Sequence, residues 1–123
     1  MILDTCYFID LQRKPSSVQA ISARIAHRVL FATAITYGEL AEGLESPSDT
    51  ELGRITLGLP VLGIDESIAK NYGAVRRHLR SSGLLIGDND LWIAAIALTH
   101  GLPIVTRNVS EFRRIDGLQV VAY

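Results

Sequence analysis

The chain has 123 residues, a length that suits one domain built on one core, and residues 1–123 are read as such a unit. Hydrophobic residues make up 48% of the chain, and a formal net charge of −1 gives no indication of a general electrostatic grip on nucleic acid. A single cysteine rules out an internal disulfide. No apolar run is long enough to span a bilayer and the start of the chain lacks the basic residues of a signal peptide, so no membrane role and a cytoplasmic setting are expected. The apolar share exceeds what a small monomer needs, which points to a buried partner interface.

Met1-Ile2-Leu3-Asp4-Thr5 is a short apolar run ending in an acid, and it reads as a buried strand with Asp4 at its carboxyl end. Cys6 to Leu11 continues as a turn into a short helix. Pro15, Ser16 and Ser17 punctuate, and Ile21, Ile25 and Ala26 form a helical stripe up to His27. Val29 to Ala32 predicts a second strand. Ile35 to Leu44 has helical spacing, and Thr36 with Glu39 matches a capping box. Ser46-Pro47-Ser48 breaks the chain, and Ser48 with Glu51 repeats the start signal. Leu59 to Ile64 predicts a third strand, with Pro60 at its start or on an edge.

Asp65 can cap a long helix from Glu66 to about Ser82, with Ile68, Tyr72, Val75 and Leu79 as its stripe and Gly83 as its stop. Asp88-Asn89-Asp90 then runs into Leu91 to Leu98, a segment without a polar face, which predicts a buried central helix ended by His100-Gly101. Ile104 to Thr106 predicts a fourth strand, Val109 to Arg114 a short helical turn, and Leu118 to Ala122 a last strand. Short apolar strands alternating with helices are the mark of an α/β protein, a mostly parallel sheet covered on both faces. In such sheets the site lies beyond the carboxyl ends of the strands.

Asp4, Glu39 and Asp90 are therefore candidates for one acidic pocket, with Asp88, Asn108 and Glu111 nearby. Two like charges ~4 Å apart repel by roughly 4 kcal/mol near a protein surface. A divalent cation turns that penalty into binding, and oxygen ligands without His or Cys favour Mg²⁺ or Mn²⁺ over Zn²⁺. Such an ion binds a phosphate oxygen, acidifies a water and stabilises the leaving oxygen, so the chemistry implied is phosphodiester hydrolysis. Arg107, beside the acids, is a candidate contact for substrate phosphate. The cations are Arg apart from Lys14 and Lys70, and Arg suits planar contacts to phosphate.

Four segments carry a resemblance: Met1 to Thr5; Ile35-Thr36-Tyr37-Gly38-Glu39-Leu40 with Gly43; Ile86 to Ala95; and Val105-Thr106-Arg107-Asn108 with Glu111-Phe112. They resemble the motifs of PIN-domain ribonucleases, and their order and spacing are similar to those of VapC-type toxins of bacterial and archaeal toxin–antitoxin pairs. The resemblance implies a PIN-like three-layer sandwich. It also implies a Mg²⁺- or Mn²⁺-dependent endoribonuclease that is a homodimer and is inhibited by a cognate VapB-type antitoxin. The implied substrate is transfer RNA or, in some members, a ribosomal RNA loop. By motif position Asp4, Glu39 and Asp90 match the first three acids and Asn108 the fourth position, with Asp88, Thr5 and Thr106 in support. Many members have Asn where this chain has Cys6, an Asn that helps to order the site. Asn108 brings no charge, so one firm metal site is expected, completed by RNA phosphate and water.

Each residue also has a plainer reading. Glu39 can complete the capping box with Thr36, Asp88 can be the N-cap of the central helix, and Asp90 can favour the helix dipole by roughly 0.3–1 kcal/mol. Asn108 with Glu111 is a cap signal, and Thr5 and Thr106 either orient acids or cap helices. Cys6 reads as a small buried residue, because a cysteine phosphatase would need Arg where Gln12 stands and a haloacid dehalogenase would need an acid at position 6. His27, His78 and His100 read as surface or cap residues, Arg76, Arg77 and Arg80 as solvated charge, and Trp92 and Tyr37 as core or interface. Two other functions fit the pattern less well: a catalytically idle interaction module, and a receiver-like domain, which needs a Lys beyond a late strand where none follows Lys70.

Overall fold

A computed structural model describes all 123 residues. Five short strands alternate with seven helices: β1 Ile2–Leu3, α1 Thr5–Arg13, α2 Pro15–Ile25, β2 Ala32–Thr33, α3 Ala34–Glu42, α4 Asp49–Ile55, β3 Val61–Leu62, α5 Glu66–Ser81, α6 Asp88–His100, β4 Ile104–Thr106, α7 Val109–Phe112 and β5 Val120–Ala122. Every strand pairing is parallel. β1, β4 and β5 form one ladder, β2 and β3 another, and an Ile2–Phe31 bridge joins them. The resulting order is β3-β2-β1-β4-β5, which reverses direction between β1 and β4. That reversal opens a crevice beyond the carboxyl ends of those two strands.

Side chains alternate across the sheet and build a core on each face. Ile2 and Ile104 point to one side, where α5, α6 and α7 supply Ile68, Leu79, Ile93, Ile96 and Phe112. Leu3 and Val105 point to the other, among Phe8, Val18, Ile21 and Leu40 of α1, α2 and α3. This is the three-layer α/β sandwich that the alternation of strands and helices predicts. α6 is the most enclosed helix: Leu91, Ile93, Ala94, Ala95, Ile96 and Ala97 are all fully buried. Gly101 ends it in the left-handed region at φ 63°, where a side chain would be strained.

Several boundaries differ from the sequence pattern, each for a local reason. The first strand stops at Leu3 because the Asp4 carboxylate accepts the Thr5 N–H and turns the chain straight into α1. Val29 lies outside the second strand and is exposed. The start of α3 is capped by Thr33, not Thr36, whose N–H donates to the Thr33 hydroxyl at 3.1 Å. The N-cap position of α6 is Gly87, so Asp88 is its first helical residue and caps nothing. Asp65 and Ser48 do cap α5 and α4. No helix is long and apolar enough to cross a membrane.

Burial on this scale sets the cost of truncation. Ile96→Ala, in the fully buried part of α6, should lower unfolding free energy by about 2–5 kcal/mol in urea titrations. Val29→Ala, at a position 71% exposed, should stay within about 0.5 kcal/mol of the parent. Equal losses at the two positions would contradict this packing.

Candidate active site

The crevice between β1 and β4 holds a cavity of about 420 Å³ lined by Asp4, Thr5, Cys6, Ile9, Glu39, Asp90, Arg107 and Asn108. Four separate stretches of chain meet there. Asp4 ends β1, Glu39 lies in α3, Asp90 is in the first turn of α6, and Arg107 and Asn108 follow β4.

Each acid is held by neutral donors. Asp4 is buried; its Oδ1 accepts the Thr5 N–H at 2.8 Å, and its Oδ2 accepts the Thr106 hydroxyl at 2.6 Å and the Cys6 thiol at 3.1 Å. Glu39 Oε2 accepts the Thr5 hydroxyl and its Oε1 accepts the Asn89 amide at 3.0 Å. Asp90 Oδ2 accepts the Asn108 amide at 3.0 Å. The Asn108 N–H in turn donates to the Thr106 hydroxyl at 2.9 Å, which links the donor held on Asp4 to the donor held on Asp90.

These contacts replace several of the plainer readings. Glu39 is not the third residue of a capping box, because α3 starts two residues before Thr36 and the Glu39 side chain reaches Thr5 and Asn89 instead. Thr5 and Asn108 make no side-chain cap bond; the hydroxyl and the amide are spent on Glu39 and Asp90. Glu111 lies 3.8 Å from Arg114. Cys6 is half-buried within the cavity wall, not packed into a core.

Asp88 stands apart from the acids around this cavity. It faces α5, where the Tyr72 hydroxyl lies 3.4 Å and Arg76 Nε 3.6 Å from its Oδ1, and it lines a neighbouring groove with Glu39, Asn89 and Asp90. Tyr72 also stacks on Trp92 with centroids 3.7 Å apart, so that indole packs between helices. His27 and His100 are exposed, and His78 lies 3.4 Å from Asp116, away from the cavity. Three residues of the site region escape sequence reasoning. Asn89 and Tyr123 carry no local signal of a role. Asp10 does: it lies one helical turn after Cys6, hence on the same face of α1.

The electrostatics are those of crowded acids. Asp90 is pushed up from 3.8 to about 6, first by burial and then by the charges of Asp4, Glu39 and Glu111, against the opposing Asn108 hydrogen bond. Burial and the Asp4 charge push the Cys6 thiol up as well, so it is a neutral donor at physiological pH. The ligand chemistry is hard oxygen throughout, and each bonded carboxylate oxygen keeps a second lone pair, so the donor set fits a divalent cation of the Mg²⁺ type. The acids do not by themselves form a closed group of three around a cation position.

The PIN domain family model matches residues 1–118. Ribonuclease VapC1 of Haemophilus influenzae is 34% identical over 125 aligned positions, covering 96% of this chain and 93% of the relative. Ribonuclease VapC5 of Mycobacterium tuberculosis is 32% identical, covering 94% and 87%. Among solved structures, VapBC-1 from nontypeable Haemophilus influenzae aligns with a TM-score of 0.82 at 34% identity, over 98% of this chain and 96% of that one. VapBC-5 from Mycobacterium tuberculosis, of the VapBC family of toxin-antitoxin systems, aligns with a TM-score of 0.74 at 28% identity, over 99% and 97%. With the crevice, the four converging segments and these similarities in agreement, the chain belongs to the PIN-domain family, among its VapC ribonuclease toxins.

Proposed function

We propose that this chain is an endoribonuclease toxin that hydrolyses RNA phosphodiester bonds in its acidic cavity with a bound Mg²⁺ or Mn²⁺ ion. The observation that carries this is the meeting of Asp4, Glu39, Asp90 and Asn108 around one cavity at the turning point of the sheet. Asp4 and Asp90, with Glu39, would hold the ion, which when bound offers positive charge to a phosphate and acidifies water. RNA phosphate and water would complete its shell.

The chain's own residues do the positioning. Thr106 and Cys6 fix Asp4, Thr5 and Asn89 fix Glu39, and Asn108 fixes Asp90. Neutral Asn108 adds no charge to the cluster, which supports one firmly held cation. No side chain need act as nucleophile. Arg107 at the cavity wall meets RNA phosphate. The substrate is RNA, with transfer RNA first in line, and the setting is the cytoplasm. The solved relatives are VapBC assemblies, which supports a VapB-type antitoxin as partner. Residues 1–123 act as one unit, and a homodimer would pool Arg from two subunits along one RNA path.

Replacing the acids tests this directly. Asp4→Asn and Asp90→Asn should each lower kcat/KM for RNA cleavage by ~100-fold or more, because charge at the reacting phosphate is lost. Asp88→Asn, outside this cavity, should leave it within a few-fold. Undiminished cleavage by the first two variants would sink the proposal, and absence of any cleavage would favour an idle interaction module.

Mn²⁺ at about a hundred times its dissociation constant should add about 2.7 kcal/mol to the stability of the parent chain and nothing to Asp90→Asn under the same conditions. A thermal shift that is identical in both would remove Asp90 from the metal site.

The crowding also has a pH signature. The folded-state value of Asp90 lies above its ordinary one, so its ionised form opposes folding above about pH 6 and the penalty fades as pH falls toward about 4. In chelator, Asp90→Asn should therefore raise Tm near neutral pH and give almost no gain near pH 4. A gain that grows on acidification would have the wrong sign.

A further inference from the structure

Asp10 is a carboxylate only 4% exposed, on the face of α1 that bears Cys6. A buried ion of this kind needs a partner. Arg107 supplies it from 97 residues away, donating from Nη1 to both Asp10 oxygens at 2.7 Å. The Tyr123 hydroxyl donates to the same carboxylate at 3.1 Å, and its ring packs edge-on against Tyr7 with centroids 5.9 Å apart.

This pairing does not exhaust the guanidinium. Nη1 alone bonds both oxygens of Asp10, while Nε and Nη2 have no acceptor within the protein. The Arg107 side chain stays 57% exposed, and the residue lines the acidic cavity. The Nη1 end of the guanidinium is thus clamped, while Nε and Nη2 remain open on a residue that lines the acidic cavity. Lys could neutralise Asp10 but could not present a second edge.

We propose that Arg107 is a bridging residue: Asp10 and Tyr123 position its guanidinium, and its open edge binds a phosphate of single-stranded RNA next to the one cleaved. This rests on the ribonuclease reading above. A clamped Arg fixes the distance from the bound phosphate to the acids, and so selects which bond enters the cavity. The alternative is that Arg107 is only the counter-ion of Asp10.

The test measures binding of a fluorescein-labelled, mixed-sequence single-stranded oligoribonucleotide by anisotropy. All chains carry Asp90→Asn so that the RNA stays whole. Arg107→Lys keeps a partner for Asp10, and the double change Asp10→Asn with Arg107→Gln removes the pair together. Both should bind about tenfold or more weakly, as expected for a lost charge-assisted contact. The salt dependence of log affinity should become shallower by ~0.7, the loss of one phosphate contact. At high ionic strength, where long-range charge is screened, Asp10→Asn alone should also weaken binding. In chains with Asp90 intact, the same changes should raise KM and leave kcat within a few-fold.

Parental affinity and salt slope in Arg107→Lys and in the double variant would overturn the proposal and leave Arg107 as a counter-ion. Should the double variant fail to fold, as read by circular dichroism, Arg107→Lys decides alone. Failure of the parent to cleave any RNA would instead strike the ribonuclease reading, which the binding measurements do not use.

Discussion

Mutual repulsion among carboxylates at one end of the sheet is the constraint around which this molecule is arranged. Asp4, Glu39 and Asp90 share one cavity, and the charges of the first two help to hold the third in its protonated form up to about pH 6. Left to itself such a cluster would open. It is kept together by a shell of neutral donors: two threonine hydroxyls, two amides, a thiol and a backbone N–H. Neutral donors orient the acids without adding positive charge to the cavity.

The rest of the fold supplies rigidity for that arrangement. β1 and β4 are adjacent and parallel, with Leu3 in register with Val105, so Asp4 and Thr106 leave the sheet side by side. α6 brings Asp90 to the same place because Leu91, Ile93 and Ile96 behind it are fully buried and the helix cannot slide without opening the core. The small residues Ala94, Ala95 and Ala97 allow that enclosure. Short strands suffice, since the chain uses the sheet to aim its loops and helix starts, not to build area.

Asp10 and Arg107 add a second layer to the same end of the molecule. The pair costs desolvation of a carboxylate, which a simple hydrophobic contact would avoid. Its effect is to fasten α1, the turn after β4 and the end of β5 to one another around the cavity wall. Tyr123, the residue after β5, closes this network through Asp10 and Cys6. The thiol at position 6 thereby joins the acidic cluster to the Arg107 side of the crevice, contacting Asp4 and the Arg107 N–H.

Element type and order are legible in the sequence because apolar periodicity is a local property. Alternating short apolar runs and amphipathic stretches dictate parallel α/β architecture, the unbroken apolar face after Asp90 dictates a buried helix, and Asp65 and Ser48 announce their helices. Capping is less legible: Thr36 lies in a valid box, yet Thr33 takes the cap because β2 delivers the chain there, which frees Glu39 to face Thr5. Side-chain partners distant along the chain were beyond local pattern altogether. Asp88 and Asp90 are chemically alike and two residues apart, but helix rotation sends one toward α5 and the other into the cavity. The clamp on Asp10 joins residues whose meeting depends on sheet register and on where β5 ends, and no local spacing encodes either of those.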